Sequence, residues 1–595
     1  MHFDKIAMIK KKFSLKHAYN LIAVILFGVI VAQLFTLQII NGEGYEEISR
    51  RNYVRIRRVS ATRGMILDEK FRPIVTNVPS INLYFRPAFI SDRQAFIDFL
   101  TSNIDITTEA VEKLLYDNRF RPFEEILIVE NLQENIMARL AERMSYYPEL
   151  LFKVEILRHY NLQNHFTGYV GRINEEEFRR YRGDDITRNS LIGKTGIERF
   201  YEGLLAGKSG YEIVQVDALG KSLGLFKHDL NSPPVNGFNI VLTINLELQE
   251  YINQIFPRDK AGAVIVMNPK TGGILAYNSF PEFDQNWFAS GISNAQWSYL
   301  MNHDLRPLLD RVVMGTYPPG STFKTLSAAY AFERNLITES TRFAFCNGGM
   351  WIGNRYFRCW YRDGHGRTNI YEGMSVSCSV YFYDLSSRFN LDDFQEFTHN
   401  SFLLSRTGID LPSERAGFFP RTEWYRNRLG RYFSTLGIRA NLSIGQGEVL
   451  VSPLSLVSYY AAIANDGVWN SPHLFKEAFN ENTILSEGIV NKTTKRLPYS
   501  ENTLKIIQRS LYESVYRTSS TGRTARVQGA EIYAKTGTAE NAQSDIPHAS
   551  ITGYVKWDGE PEIAFLVMIE NAGWGGSNAG PVARQIIQFY QDKIR

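Results

Sequence analysis

The chain has 595 residues, enough for two or more domains and at least one large core. At 44% hydrophobic and 22% charged residues it has the composition of a folded protein, which excludes wholesale disorder. The formal charge of +4 is small for this length and no basic stripe is interleaved with aromatics, so nucleic acid is not an expected partner; three cysteines exclude a disulfide-built scaffold.

Residues 1–17 read as a cytoplasmic tail, with Lys5, Lys10, Lys11, Lys12 and Lys16 against Asp4. Residues 18–40 read as a transmembrane anchor. Within them Leu21–Ile40 is almost wholly apolar, and at helical rise such a run covers about 30 Å, the thickness of a bilayer core. The preceding lysines favour a cytoplasmic N-terminus, and no small-x-small cleavage site follows. The anchor is therefore expected to stay, with the bulk of the chain outside the cytoplasm.

Residues 41–235 mix short strands, turns and charged helices. Arg50–Ser60 alternates as a strand does, and Ala61-Thr62-Arg63-Gly64 turns into another. Ser91–Leu151 reads as helical patches whose local charge pairs mark a solvated surface. Ile192-Gly193-Lys194-Thr195-Gly196 is a glycine-marked turn that lacks the spaced glycines of a phosphate loop.

Near Ser232-Pro233-Pro234 the texture changes, and residues 236–595 read as a second domain. A strand is expected at Ile240–Asn245, a helix at Leu246–Phe256, and strands at Ala261–Met267 and Ile274–Ser279 joined by the turn Asn268–Gly273. Helical stretches dominate to about residue 520, strands return at Glu531–Lys535, Ser550–Val555 and Ile563–Glu570, and a helix at Pro581–Ile594 follows. Strands from both ends around a helical middle predict one sheet with helices on its faces, an α+β domain.

Within that domain Tyr317-Pro318-Pro319-Gly320 is turn chemistry, and the run that follows predicts a helix starting at or next to Ser321. Lys324 then lies one turn on, on the same face. A hydroxyl, an amine beside it and the free N–H groups of a helix N-terminus are the parts of an activated serine nucleophile. Three Lys-Thr-Gly triplets occur, beginning at Lys194, Lys270 and Lys535. Only the one at 535, ending an apolar strand, is placed to line a cleft. Between Ser321 and Lys535 lies Ser377-Cys378-Ser379.

Ser-x-x-Lys, then Ser-x-Ser, then Lys-Thr-Gly resembles the motif set of the penicillin-binding and serine β-lactamase superfamily. The third residue of the middle motif departs from the family's Asn or Asp: Ser379 still donates and accepts, with a shorter reach. The resemblance extends to Ala61-Thr62-Arg63-Gly64, the Ile192–Glu198 segment, Gly445-Gln446-Gly447, Thr521–Ala525, His548-Ala549 and Ala579–Ala583. The order of anchor, pedestal and transpeptidase domain is that of class B penicillin-binding proteins, and Gly364-His365-Gly366 with the cysteine pattern is similar to the elongation type.

The resemblance implies an elongated pedestal at 41–235 and a transpeptidase domain at 236–595 with a central antiparallel sheet flanked by helices. It implies a peptidoglycan D,D-transpeptidase acting on stem peptides ending in D-Ala-D-Ala, acylated by β-lactams and working in cell elongation, with carboxypeptidase action as a side reaction. Ser321 would be the nucleophile, Lys324 its base, and Ser377 the proton relay, with Ser379 and Lys535 completing the site. Thr536, Gly537 and Thr538 would bind the substrate carboxylate and form part of the oxyanion hole. Expected partners are the membrane, a RodA-type glycan polymerase and an MreC-type scaffold; the expected location is the inner membrane, with most of the chain in the periplasm. Two other readings stay open: a D,D-carboxypeptidase or β-lactamase on the same fold, and a non-catalytic sensor or scaffold that is acylated once.

Cys346, Cys359 and Cys378 lie within 33 positions, with His365 among them. Three thiolates and one imidazole suit tetrahedral zinc in a closed structural site. An oxidising compartment favours instead one disulfide and a free thiol, and unrelated buried thiols are a third reading. The family resemblance implies metal at these positions.

Overall fold

The computed structural model describes residues 3–41, 43, 54–122, 124–181, 186, 190–216, 222–226, 231–430, 433–481, 483–486, 489–490, 492–541 and 544–595. It divides into two compact units, one of Met1–Ala61 with Lys208–Val235, the other of Thr62–Gly207 with Asn236–Arg595.

In the first unit a helix spans Phe3–Phe35 and continues as one wider turn over Thr36–Ile40. Lys16–Ile40 is long and apolar enough to cross a membrane, and none of it is buried by protein. Val54–Val59 pairs antiparallel with Gly210–Val216, which pairs with Ser222–Leu225. Of the strand expected over 50–60, residues 50–53 lie outside the described residues.

The second unit holds two large sheets. The first is built on Pro73–Phe85, which pairs with Leu150–Tyr160 along eleven residue pairs from Val75↔Tyr160 to Phe85↔Leu150. Asn239–Leu242 belongs here, parallel to Ile66–Leu67 and antiparallel to Phe475–Phe479. The strand expected at 240–245 therefore forms but joins a different sheet from its sequence neighbours; an apolar run specifies a strand, not its partner. A second correction concerns Ser91–Leu151. Its helix Arg93–Asn103 buries Phe96, Ile97, Phe99 and Leu100 against Leu83 and Phe85, so this stretch builds a core of its own rather than a solvated surface. The helix is capped by Asp92, whose carboxylate accepts from the N–H groups of Gln94 and Ala95.

Two of the sequence signatures meet in this region. Glu198 is fully buried and bonded by Arg63 at 2.6 Å and Arg158 at 2.7 Å. The pair of guanidiniums outweighs burial and holds its carboxyl below the usual carboxylate range. Arg63 also reaches Glu202 at 2.7 Å, so these residues tie chain segments together.

The second sheet is the expected one. Its order is Ile274–Phe280, Gly262–Met267, Glu560–Ile569, Ser544–Trp557, Glu531–Asn541, antiparallel throughout. The period of two divides its faces: Val264 and Val266 pack with Ile532 and Ile586 on one side, Ala263, Ile265 and Met267 with Leu326 and Val457 on the other. The helix Pro453–Ala464 is buried along its whole length on the second face, with Ser452 as its cap and Pro453 at its first position. Gly575–Phe589 covers the first face. This helix starts earlier than the expected Pro581, which lies inside it.

Candidate active site

The edge strand Glu531–Asn541 places the third Lys-Thr-Gly. Lys535 is in the middle of this strand and not at its end, because Thr536 to Ala539 continue the pairing with Ile551 to His548. The other two triplets stand elsewhere: Lys270 is in an exposed turn against Glu560, and Lys194 pairs with Glu177.

Ser321 is half-buried in a tight 3-10 turn, Gly320–Phe323, which leads into the α-helix Lys324–Glu333. The α-helix thus starts three residues after the serine, and Lys324 opens it. Gly320 has φ +55°, and a Cβ there would stand 2.8 Å from the carbonyl oxygen of Thr538. Glycine allows the nucleophile turn to close on the edge strand. Gln446 joins the same point, its Nε2 donating to the Thr538 oxygen at 3.2 Å.

Lys324 is fully buried. Its Nζ donates to the Ser377 carbonyl oxygen at 2.9 Å and approaches the Ser377 and Ser379 hydroxyls at 3.3 and 3.4 Å. Burial pushes its pKa down from the ordinary 10.5 to about 8, against the opposing pull of thiolate charge at Cys359. Lys535 is also fully buried, and its Nζ donates to Ser377 Oγ at 2.9 Å and to the Thr536 oxygen at 3.1 Å. Burial, and after it the charge of Lys324, push Lys535 well below the ordinary lysine value. One hydroxyl thus stands between two lysine Nζ atoms, and Ser377 holds it there from a left-handed backbone, φ +53°.

Ser321, Lys324, Ser377, Ser379, Lys535, Thr536, Gly537 and Thr538 are therefore drawn to one place. The Thr536 hydroxyl meets Thr521 Oγ1 at 2.8 Å, and Thr538 Oγ1 accepts from the Gly575 N–H at 3.3 Å. His548 is spoken for structurally: its Nδ1 accepts from the Asn571 N–H at 3.1 Å and its ring meets Tyr317 edge-on at 5.6 Å. Two residues at the site that the motifs do not reveal are Trp360, whose Nε1–H donates to the Val376 oxygen at 2.9 Å, and Trp574 beside it.

Cys346, Cys359, His365 and Cys378 converge next to this site, their ligand atoms all within 4.8 Å of one another. The three cysteines are free and buried. His365 Nδ1 is 3.7 Å from Cys346 Sγ and 3.5 Å from Cys359 Sγ. A tetrahedral zinc with its usual Zn–S and Zn–N bonds sets S···N edges of about 3.6 Å, which is the spacing of His365 from Cys346 and Cys359; Cys378 lies within 4.8 Å of the other three donors, and the donor set suits that ion. The Ser379 N–H donates to Cys359 Sγ at 3.4 Å, which links the cluster to the serine motif.

An antiparallel sheet whose edge strand carries Lys-Thr-Gly, facing Ser-x-x-Lys and a second serine motif, has the architecture of the penicillin-recognising serine enzymes. Residues 262–588 match the penicillin-binding protein transpeptidase domain and residues 58–242 the penicillin-binding protein dimerisation domain. The chain is 31% identical to the peptidoglycan D,D-transpeptidase MrdA of Haemophilus influenzae, over 95% of this chain and 90% of that one. The fold is similar to that of the penicillin-binding protein PBP2 of Helicobacter pylori, solved in complex with MreC, at TM-score 0.78 and 25% identity over 91% of this chain and 100% of that chain. It is also similar to a chain solved in a peptidoglycan synthase complex that coordinates polymerization and crosslinking, at TM-score 0.70 and 25% identity over 96% of this chain and 98% of that chain. The chain belongs to the penicillin-binding protein family, as a transpeptidase of the penicillin-binding protein 2 type.

Proposed function

We propose that Ser321 is the acylated nucleophile, with Lys324 as its base and Ser377 as the relay that protonates the leaving group. The enzyme is a serine-type peptidoglycan D,D-transpeptidase. Ser321 Oγ attacks the carbonyl of the penultimate D-Ala of a stem peptide, and its proton passes to the neutral Lys324 amine. The peptide C–N bond then breaks, and the terminal D-Ala leaves as an amine that takes its proton from the Ser377 hydroxyl, which protonated Lys324 refills, returning to its neutral form. An amine on a neighbouring stem attacks the acyl ester and gives up a proton to Lys324, which passes it to Ser321 Oγ as the ester C–O bond breaks and the cross-link forms.

The observation that carries this reading is the hydrogen-bonded row Lys324, Ser377, Lys535. Burial and mutual repulsion favour a single charge in the pair. The carboxylate of a bound donor draws the charge to Lys535, against the burial that disfavours it there, and its N–H donates to Ser377 Oγ; neutral Lys324 then donates its N–H groups to the Ser377 carbonyl and hydroxyl oxygens and keeps its lone pair for the Ser321 proton. That is the protonation state a base needs. Lys535, Thr536 and Thr538 hold the substrate carboxylate. The N–H groups of Ser321 and Thr538 form the oxyanion hole, each donor contributing about 3–4 kcal/mol to the barrier; the contact of Gly320 with Thr538 supports this pairing.

Cys346, Cys359, His365 and Cys378 hold a zinc ion in this reading. Four protein donors leave no open position, so the ion supplies a structural cross-link and takes no part in acyl transfer. The helix through Lys16–Ile40 anchors the chain in the inner membrane as a single pass. Residues 41–235 form the pedestal and 236–595 the transpeptidase domain, in the periplasm, where a RodA-type polymerase and an MreC-type scaffold are partners in elongation. The relatives solved with MreC and in a synthase complex support those partners.

A fluorescent penicillin tests the core of the proposal. Ser321→Ala is expected to abolish covalent labelling while the melting temperature stays near that of the unaltered chain. Labelling that persists at another residue overturns the assignment.

A further inference from the structure

Trp360 and Trp574 are exposed, at 43% and 51%, yet their ring centroids are 5.8 Å apart with planes at 60°. That is a direct aromatic contact. Each tryptophan stands on a different wall of the site. Trp360 donates to the oxygen of Val376, the residue before Ser377. Trp574 precedes the helix Gly575–Phe589, and Gly575 donates to Thr538 Oγ1 on the edge strand. A Cβ on Gly575 would stand 2.2 Å from the Gly537 oxygen, so glycine brings the helix start hard against that strand. At the other end the two walls meet directly, Lys535 against Ser377 at 2.9 Å.

These contacts close into a ring. It runs from Ser377 across to Lys535, along the strand to Thr538, up through Gly575 to Trp574, across to Trp360 and back down to Val376. Thr536–Thr538 form one side of the ring, the edge along which the substrate carboxylate lies in the function proposed above, and the indole pair spans the side that joins this edge to the Ser377 loop. We infer that Trp360 and Trp574 form a latch across this edge that determines which acyl donors reach Ser321.

A donor lying along Thr536–Thr538 lies between the two walls that the indoles bridge, so its width is limited while the indoles touch. A slender donor fits with little adjustment. A branched one parts the rings, which have solvent to swing into because both are half-exposed. Trp574 has no role in proton transfer in the proposed mechanism and no contact with the cysteine cluster, so it is the position to alter first.

The inference rests on Ser321 as the nucleophile, and the experiment separates the two. Acylation rates of the full chain are measured with a penicillin nucleus bearing no acyl side chain and with a penicillin carrying a branched ureido side chain. Labelling of the unaltered chain at Ser321 by the bare nucleus tests the nucleophile alone. Trp574→Ala is expected to raise acylation by about two- to tenfold through loss of the ring contact, with the larger gain for the branched probe. Trp360→Phe, which loses the Nε1 donor to Val376, is expected to change the ratio of the two rates in the same direction with the metal content unchanged. If Trp574→Ala acylates at the original rate, more slowly, or with an equal gain for both probes, the latch is overturned while the nucleophile assignment stands.

Discussion

The two buried lysines give a quantitative test of how the base is kept neutral. Their Nζ atoms approach one hydroxyl at 3.3 and 2.9 Å, so they are at most about 6 Å apart. At an effective dielectric of about 20, two unit charges at that separation repel by about 3 kcal/mol, a factor of roughly a hundred in proton affinity. Lys324 acts only when deprotonated, so acylation in the unaltered enzyme is expected to rise with pH through about 8. Lys535→Met keeps the length of the side chain and removes the charge. Lys324 then holds its proton more tightly, and the rising limb moves to higher pH. The assay is stopped-flow acylation by a chromogenic cephalosporin across the neutral to alkaline range. The rate at the plateau also falls, since the partner of the substrate carboxylate is lost; the position of the limb is the reading, not its height. Ser377→Ala is the control, because it removes the proposed relay and leaves both lysines. A limb that stays in place in Lys535→Met, or moves to lower pH, refutes the argument that Lys535 keeps Lys324 neutral.

Ser379→Asn is expected to keep or raise the acylation rate, because the serine hydroxyl reaches Lys324 Nζ only at 3.4 Å and an amide reaches further; a fall of about a hundredfold, roughly 2.7 kcal/mol in the barrier, means the site is built around serine. Metal analysis of purified protein is expected to find about one zinc per chain, and Cys359→Ser to lose it with a lower melting temperature and slower acylation. A metal-free, fully active preparation containing a cysteine–cysteine cross-link overturns the zinc reading.

The chemistry of this chain was legible where it depends on local spacing. Ser321 with Lys324 is one helical turn, Ser377 with Ser379 is one loop, and Lys535 to Thr538 is one strand; each shows in the sequence because its parts are neighbours. Elements whose identity depends on distant partners were harder to read. Asn239–Leu242 has the apolar pattern of a strand, but only the fold reveals that Ile66–Leu67 and Phe475–Phe479 flank it. The charges of Ser91–Leu151 hid the apolar face of Arg93–Asn103, since Phe96, Phe99 and Leu100 share that helix with Arg93 and Asp98. The contact of Trp360 with Trp574 had no sequence signal that joins the two, because it is made by a loop beside one motif and a helix start beside another.

The cysteine cluster and the backbone of Ser377 bear on one another. A left-handed conformation at a non-glycine residue costs on the order of 1–3 kcal/mol and persists only where its surroundings over-determine it. Here that conformation sets the Ser377 hydroxyl between Lys324 and Lys535 while its carbonyl oxygen accepts from Lys324. Relaxing it to an extended backbone would turn the hydroxyl out of the row. The bonds that resist relaxation include the Ser377 N–H to the Met374 oxygen at 3.2 Å, the Cys378 N–H to the Gly373 oxygen at 2.8 Å, Trp360 to the Val376 oxygen, and the Ser379 N–H to Cys359 Sγ. Two of these four come from residues 359 and 360, on one loop. That loop is held to the motif by Cys359 and Cys378 meeting in the four-donor cluster. A disulfide would join only two of the four donors. A tetrahedral ion would join all four, and so fix Cys378, the residue after Ser377, and the loop that bonds Val376 and Ser379. On the proposed reading the strain at Ser377 and the cluster beside it are parts of one arrangement, in which the cluster would hold a costly backbone in the geometry that presents the Ser377 hydroxyl to both lysines.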